Sequence, residues 1–222
     1  MSTARELPAA AFRRDDESPD ASFYVAPRFV THIDDGAVAA VTVLYRDLLS
    51  AGGDVLDLMS SWVSHLPDEV AYGRVAGLGM NADELGANPR LTKWRVQDLN
   101  ADPRLPYGDA EFDGAGCCVS VQYLVRPVEV FREVARVLRP GAPLVVTFSN
   151  RCFPTKAVAA WQSLDDRGHA QLVAGYGRAA GGFDAAEVRA HTPRREDPLY
   201  GVILRRSAGP ASVPAPVVSP PG

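Results

Sequence analysis

The chain has 222 residues, of which 46% are hydrophobic, and its 23 Lys and Arg against 27 Asp and Glu leave a formal charge of −4. A balance this even, without a basic run, speaks against a protein that holds nucleic acid mainly through phosphate contacts. No apolar stretch approaches the roughly 18 to 20 residues that cross a bilayer, and the first residues lack the apolar core of a secretory signal, so a soluble, cytoplasmic protein with no membrane partner is expected.

Residues 1–20 are polar without an apolar period, and residues 207–222 place five prolines in sixteen positions. Both ends are therefore expected to be disordered, leaving a single domain over residues 21–206. Ile33, Val38, Val41, Leu44, Tyr45, Leu48 and Leu49 recur at the three-to-four spacing of an amphipathic helix that Asp34 or Asp35 caps and Gly52-Gly53 ends. DVLDLMSS and GRVAGLGM follow as strands. NADELGANP forms a short helix capped by Asn81 and stopped before Pro89. WRVQDL gives a third strand and FDGAGCCVSVQYL a fourth. PVEVFREVARVLRPGA, with Val130, Val134, Val137 and Leu138 on one stripe, is the clearest helix and leads into the apolar fifth strand PLVVTFSN. A helix around residues 156–175 precedes FDAAEVRAHTP and DPLYGVILRRS, which are close enough in sequence to pair as an antiparallel hairpin. Apolar strands separated by helices predict a doubly wound, Rossmann-like α/β domain: a mostly parallel seven-stranded sheet, covered on both faces, with an antiparallel C-terminal hairpin.

Cys117 and Cys118 are adjacent and Cys152 stands apart, which gives neither a disulfide framework nor a metal-ligand spacing. The four histidines form no HExxH-type pair, so no metal site is expected. In an open α/β sheet the ligand lies beyond the carboxyl ends of the strands, near the point where strand order reverses. That rule selects Asp57, Met59, Ser60, Ser61 and Trp62 after strand one, and Gly79, Met80 and Asn81 after strand two. It adds Asp98 and Leu99, then Val119 and Ser120, and finally Ser149, Asn150 and Arg151 after strands three to five.

The succession VLDL (55–58), VAGLGMNADEL (75–85), VQDLN (96–100), LPYGDAEFDGAGCCVSVQYL (105–124) and VFREVARVLRPGAPLVVTFSN (130–150) resembles the class I S-adenosylmethionine-dependent methyltransferases, in particular the small-molecule type 11 group. The resemblance implies S-adenosyl-L-methionine (SAM) as cofactor and a small organic molecule as methyl acceptor. It further implies that Asp57 is the first-motif acid, that Asp98 accepts a hydrogen bond from the adenine amino group with Leu99 beside the ring, that Met80 packs on the adenine, and that Val119 and Ser120 line the cofactor. Two positions depart from the family pattern. The first loop, usually D-x-G-x-G-x-G, reads Asp57-Leu58-Met59-Ser60-Ser61-Trp62 without glycine, and the acid that usually grips the ribose falls on Gly79. Ser60 and Ser61 are candidates to replace the glycine loop, and Asn81 or Glu84 to reach the ribose.

Methyl transfer from a sulfonium needs mainly proximity and alignment, with a base only for a nucleophile that must lose a proton. His32, Tyr24 and Tyr123 are the candidates, with Arg28 and Gln122 nearby. The sequence after strand four, VSVQY, is not the N/D-P-P-Y run of methylases of nucleic-acid bases or glutamine amides. Trp161, Tyr176 and the glycine-rich end of residues 151–182 suggest a mobile lid over an apolar pocket. Two rivals stand beside this reading. Gly77-Leu78-Gly79-Met80-Asn81-Ala82 fits a dinucleotide fingerprint and an NAD(P)-dependent oxidoreductase, although the helix after it is short. The glycine-free loop and Gly79 fit a methyltransferase fold that has lost its cofactor and serves as a binding or scaffold protein.

Overall fold

A computed structural model describes residues 7–208. The expected sheet is present, with strands β1 (Asp54–Ser60), β2 (Arg74–Gly79), β3 (Lys93–Val96), β4 (Gly114–Cys118), β5 (Pro143–Ser149), β6 (Glu187–His191) and β7 (Leu199–Arg205). Their spatial order is β3-β2-β1-β4-β5-β7-β6. β1 to β5 run parallel, and β7 lies antiparallel to both β5 and β6. Strand order reverses between β1 and β4, the strands whose ends carry Asp57–Trp62 and Val119–Ser120.

The helices are α1 (Asp20–Phe23), α2 (Asp35–Leu48), α3 (Ala82–Ala87), α4 (Pro127–Val137), α5 (Ala159–Gln162) and α6 (Asp166–Ala180). Asp34 caps α2, its side chain accepting from the Ala37 N–H at 2.9 Å, and Asn81 caps α3 by accepting from the Asp83 and Glu84 N–H groups. α2 turns Ala37, Val41, Leu44, Tyr45 and Leu48 onto one face of the sheet, against Val55, Val75, Val145 and Ile203. α4 and α6 cover the other face, where Leu56, Leu58, Leu144, Val146 and Phe148 project between them. β5 is buried along its whole length because successive side chains enter the two opposite layers. Each fully buried side chain of the α4 stripe, Val130, Phe131, Val134 and Val137, contributes about 1.5–3 kcal/mol of apolar burial.

Three expectations are corrected. Residues 7–20, expected as part of a disordered tail, lie packed on the domain: Leu7, Ala11 and Phe12 meet the core, and Phe12 tilts against Tyr176. Charge pairing supplies the reason, since Arg14 clamps Asp20 through two hydrogen bonds of 2.8 and 2.9 Å, and the buried Lys156 reaches both Asp16 and Asp20. Residues 1–6 and 209–222 of the two expected tails lie outside the described residues. The expected lid is not one: Trp161 and Tyr176 are buried in the core, and the glycines let α6 approach the sheet, a Cβ at Gly177 meeting Leu204 at 2.7 Å. Finally, β3 is not covered on both faces. α3 spans only six residues and leaves Trp94 and Val96 exposed on this edge strand. Among the described residues no helix is long and apolar enough to cross a membrane.

Candidate functional site

A cavity of ≈ 300 Å³ opens at the carboxyl ends of β1, β2, β3 and β4 and is roofed by the chain between Asp20 and Ile33. Ten of the eleven residues expected to hold a cofactor line it: Asp57, Met59, Ser60, Ser61, Gly79, Met80, Asp98, Leu99, Val119 and Ser120. Asn81 does not. Its Oδ1 caps α3 and its Nδ2 donates to the carbonyl oxygens of Tyr24 and Val25, so the side chain is spent on tying the roof to the helix. Tyr24, Arg28, His32 and Tyr123 line the cavity as well, whereas Gln122 is buried beneath it and donates to the Val119 carbonyl.

The first loop replaces glycine by strain. Met59 takes φ 55° and lies at a register shift between Leu58 and Ser60, and Val119, at the end of the neighbouring β4, takes φ 47°. Left-handed backbone is costly for side chains other than Gly, Asn and Asp, and most of all for a β-branched one, at about 1–3 kcal/mol per residue. Met59 and Val119 thus hold a left-handed backbone conformation that usually falls to glycine. Val119→Asn, which tolerates this conformation, is expected to raise stability by about 0.5–1 kcal/mol, seen in differential scanning calorimetry as a midpoint about 1–4 °C higher. An unchanged or lower midpoint would remove the claim of strain.

The shift also settles Gly79. A Cβ there would fall on the Ser60 carbonyl oxygen, so no acidic side chain fits at the end of β2. Gly77 and Gly79 both lie inside β2, and a Cβ on Gly77 would meet the Leu91 side chain. Packing within the sheet thus accounts for the glycines that resemble a dinucleotide fingerprint.

Asp57 is buried, and its Oδ2 accepts from the hydroxyls of Ser60 at 2.5 Å and Ser64 at 2.6 Å. Asn88 donates to Ser64 Oγ and to the Ser61 carbonyl, fixing the loop from below. Burial pushes the Asp57 carboxyl up to about 6, with the two hydroxyls pulling the other way. A carboxyl whose pKa is higher folded than unfolded binds its proton more tightly in the native state, so the fold loses stability as pH rises from about 4 to 6 and stays lower above that. The penalty is about 3 kcal/mol at full ionisation. Asp57→Asn should flatten this part of the stability curve in urea titrations run from pH 4 to 7; a wild-type curve already flat there would contradict it.

Glu84, one of the two candidates to reach a ribose, is buried at the start of α3 and lines the cavity. It accepts from Ser61 Oγ at 2.8 Å and from the Arg28 backbone N–H at 2.7 Å, joining loop, helix and roof. Asp98 accepts the Asn100 and Ala101 N–H groups on Oδ1, leaving Oδ2 without a partner among the described residues. Asn100 donates to Asp20 Oδ2 and to the Tyr123 carbonyl, so the end of β3 is bound to both the roof and the segment after β4.

The three base candidates separate clearly. Burial raises the Tyr24 phenol well above its usual range and pushes Tyr123 up to about 12, where its Oη also accepts the Phe153 N–H. Both stay protonated at neutral pH. His32 is shifted downward, by burial and by the Arg28 charge, and so presents a neutral imidazole able to accept a proton. Cys118 lines the cavity as a thiol, pushed up to about 12 by burial. Among the lining residues that sequence reasoning missed are Asp20, His65, Asn100, Cys118 and Phe153. Phe153 follows the already selected end of β5, while Asp20 reaches the cavity only through long-range charge pairing that no local pattern carries.

Residues 62–146 match the family model of a methyltransferase domain. A curated relative, the biotin biosynthesis bifunctional protein BioHC of Teredinibacter turnerae, is 27% identical over 101 residues, which cover 46% of this chain but only 17% of that protein's length. Among solved structures, the [4+2]-cyclase SpnF aligns with a TM-score of 0.60 at 17% identity, covering 86% of this chain and 91% of its own. The protein held by the Trm112 methyltransferase activator of Haloferax volcanii aligns at 0.59 and 17% identity over 78% and 90%. Phosphoethanolamine N-methyltransferase 2 of Haemonchus contortus aligns at 0.54 and 12% identity over 76% and 52%. The domain match over residues 62–146 and the β3-β2-β1-β4-β5-β7-β6 sheet make the chain similar to methyltransferase domains in this part of its sequence and in its fold.

Proposed function

We propose that the chain is a SAM-dependent methyltransferase acting on a small organic molecule by in-line methyl transfer. The observation that carries this reading is the convergence on one covered cavity of the ends of β1, β2, β3 and β4, with the free Oδ2 of Asp98 beside Leu99. SAM supplies a methyl group already activated on a positive sulfur. In this reading Asp98 accepts from the adenine amino group, and Met80 and Leu99 pack on the ring. The left-handed turn at Met59 brings the loop backbone close to the amino-acid part, and Glu84 stands in for the ribose acid that Gly79 lacks. The roof excludes water and aligns the acceptor, and His32 takes a proton where the nucleophile carries one. A cavity of ≈ 300 Å³ favours a small acceptor, in keeping with the phosphomonomethylethanolamine bound to the Haemonchus contortus neighbour.

A second reading, a cofactor-less binding protein on the same fold, is favoured by one observation: the Ser60 carbonyl fills the position of the ribose acid. Isothermal titration with SAM and S-adenosylhomocysteine, with NAD and NADP as controls, separates the two. Micromolar binding of the first pair alone supports the methyltransferase, and no heat from any of the four, with folded protein, overturns it in favour of the binding protein.

A further inference from the structure

Among the described residues four carboxylates line the cavity, Asp20, Asp57, Glu84 and Asp98, and each accepts hydrogen bonds from within the protein. The cations differ. Arg151 is paired with Asp197 through Nε, at 2.9 and 3.1 Å. Arg28 makes no ion pair among the described residues, although its backbone is anchored to Glu84. Its guanidinium carbon lies 4.6 Å from the centre of the Phe23 ring, 5.5 Å from Phe153 and 5.6 Å from Tyr24. Nη2 donates to the Phe23 carbonyl at 2.8 Å, and Nη1, shielded from solvent, donates to nothing among the described residues.

Aromatic rings hold a guanidinium by its faces and cannot satisfy the N–H groups at its edge. A charged donor kept from water without a partner is a cost that the matching ligand removes, and the ligand that matches a planar fork is a carboxylate or phosphate. The same Phe153 ring also meets His32 edge-on, with centroids 5.1 Å apart, so an anion on Arg28 would bring its molecule beside the one neutral base candidate.

We propose that Arg28 is the oxyanion receptor of this cavity and that the methyl acceptor is an acidic small molecule, docked by its carboxylate or phosphate on the free edge of Arg28. This rests on the methyltransferase reading, in which the amino-acid carboxylate of the cofactor is the other possible source of the anion.

The test compares wild type with Arg28→Met and Arg28→Lys, each first shown by calorimetry to melt cooperatively. With S-adenosylhomocysteine saturating, fluorine NMR is used to titrate 4-fluorophenylacetate and its neutral amide, 4-fluorophenylacetamide. Wild type should bind the acid at least ten-fold more tightly than the amide; Arg28→Met should abolish that preference and Arg28→Lys should keep part of it. In parallel, S-adenosylhomocysteine is compared with 5′-methylthioadenosine, which lacks the amino-acid carboxylate. A ten-fold loss for the former alone in Arg28→Met would keep the receptor, give its anion to the cofactor and overturn the acidic acceptor. No preference for acid over amide in wild type, together with unchanged S-adenosylhomocysteine binding in Arg28→Met, would overturn the receptor itself. If wild type bound no S-adenosylhomocysteine, the methyltransferase reading would fall, and the acid and amide titrations repeated on the free protein would still decide for or against the receptor.

Discussion

Lys156→Met should lower stability by about 3–5 kcal/mol and the thermal midpoint by about 10 °C, the largest effect expected of any single substitution outside the apolar core. Lys156 is fully buried. Its Nζ donates to the Ser18 carbonyl at 2.8 Å and lies 3.1 Å from Asp16 Oδ2 and 3.3 Å from Asp20 Oδ1. Methionine keeps much of the volume but leaves two carboxylates facing one another with only Arg14 to offset them. Because those carboxylates belong to the segment leading into the cavity roof, S-adenosylhomocysteine affinity should fall in the same variant. Calorimetry and titration together check both effects; a midpoint within 2 °C of wild type would show that the pair is no more than a surface contact.

Asp98→Asn should weaken S-adenosylhomocysteine binding by about 10- to 100-fold while leaving the melting midpoint nearly unchanged. Asparagine still offers an oxygen to the Asn100 and Ala101 N–H groups, so the turn after β3 survives. It also presents an amide N–H₂ where the adenine amino group needs an acceptor, and a lost and mismatched hydrogen bond costs about 1–3 kcal/mol. A change of less than two-fold in the dissociation constant would remove Asp98 from the cofactor site.

The contrast between these two residues shows what the sequence makes legible. Asp98 ends an apolar strand in a motif of known order, so strand periodicity and the rule of carboxyl-end sites located it together with nearly all the other candidates. Lys156 acts through partners more than 130 positions away, and the RRDDESPD run that it neutralises has the composition of a solvated tail. Charge pairs across such distances leave no period. The lid reading failed for a related reason: glycines beside aromatics signal mobility in isolation, but here they let α6 close on Leu204 and bury Tyr176. Asn81 was correctly read as a helix cap, and that role consumes the side chain that a ribose would have needed. The backbone conformations at Met59 and Val119 had no sequence signal at all, since both residue types normally avoid them.

The ordered N-terminal segment has a kinetic consequence. It joins no strand of the sheet, and two of its backbone ties are the Asp16 N–H to the Thr155 carbonyl and the Ala159 N–H to the Arg13 carbonyl. Its release therefore breaks a charge cluster and a few amide bonds while leaving the seven strands paired, which defines a sub-global opening well below the free energy of unfolding. Amides of Asp16 and Ala159 should exchange with deuterium sooner than those of Val145 and Ile203, which pair in the centre of the antiparallel ladder. Residence time of anything held under the roof then follows the opening equilibrium of this segment, and Asp16 and Ser18 become positions where release can be slowed or hastened without altering a single atom of the cavity wall.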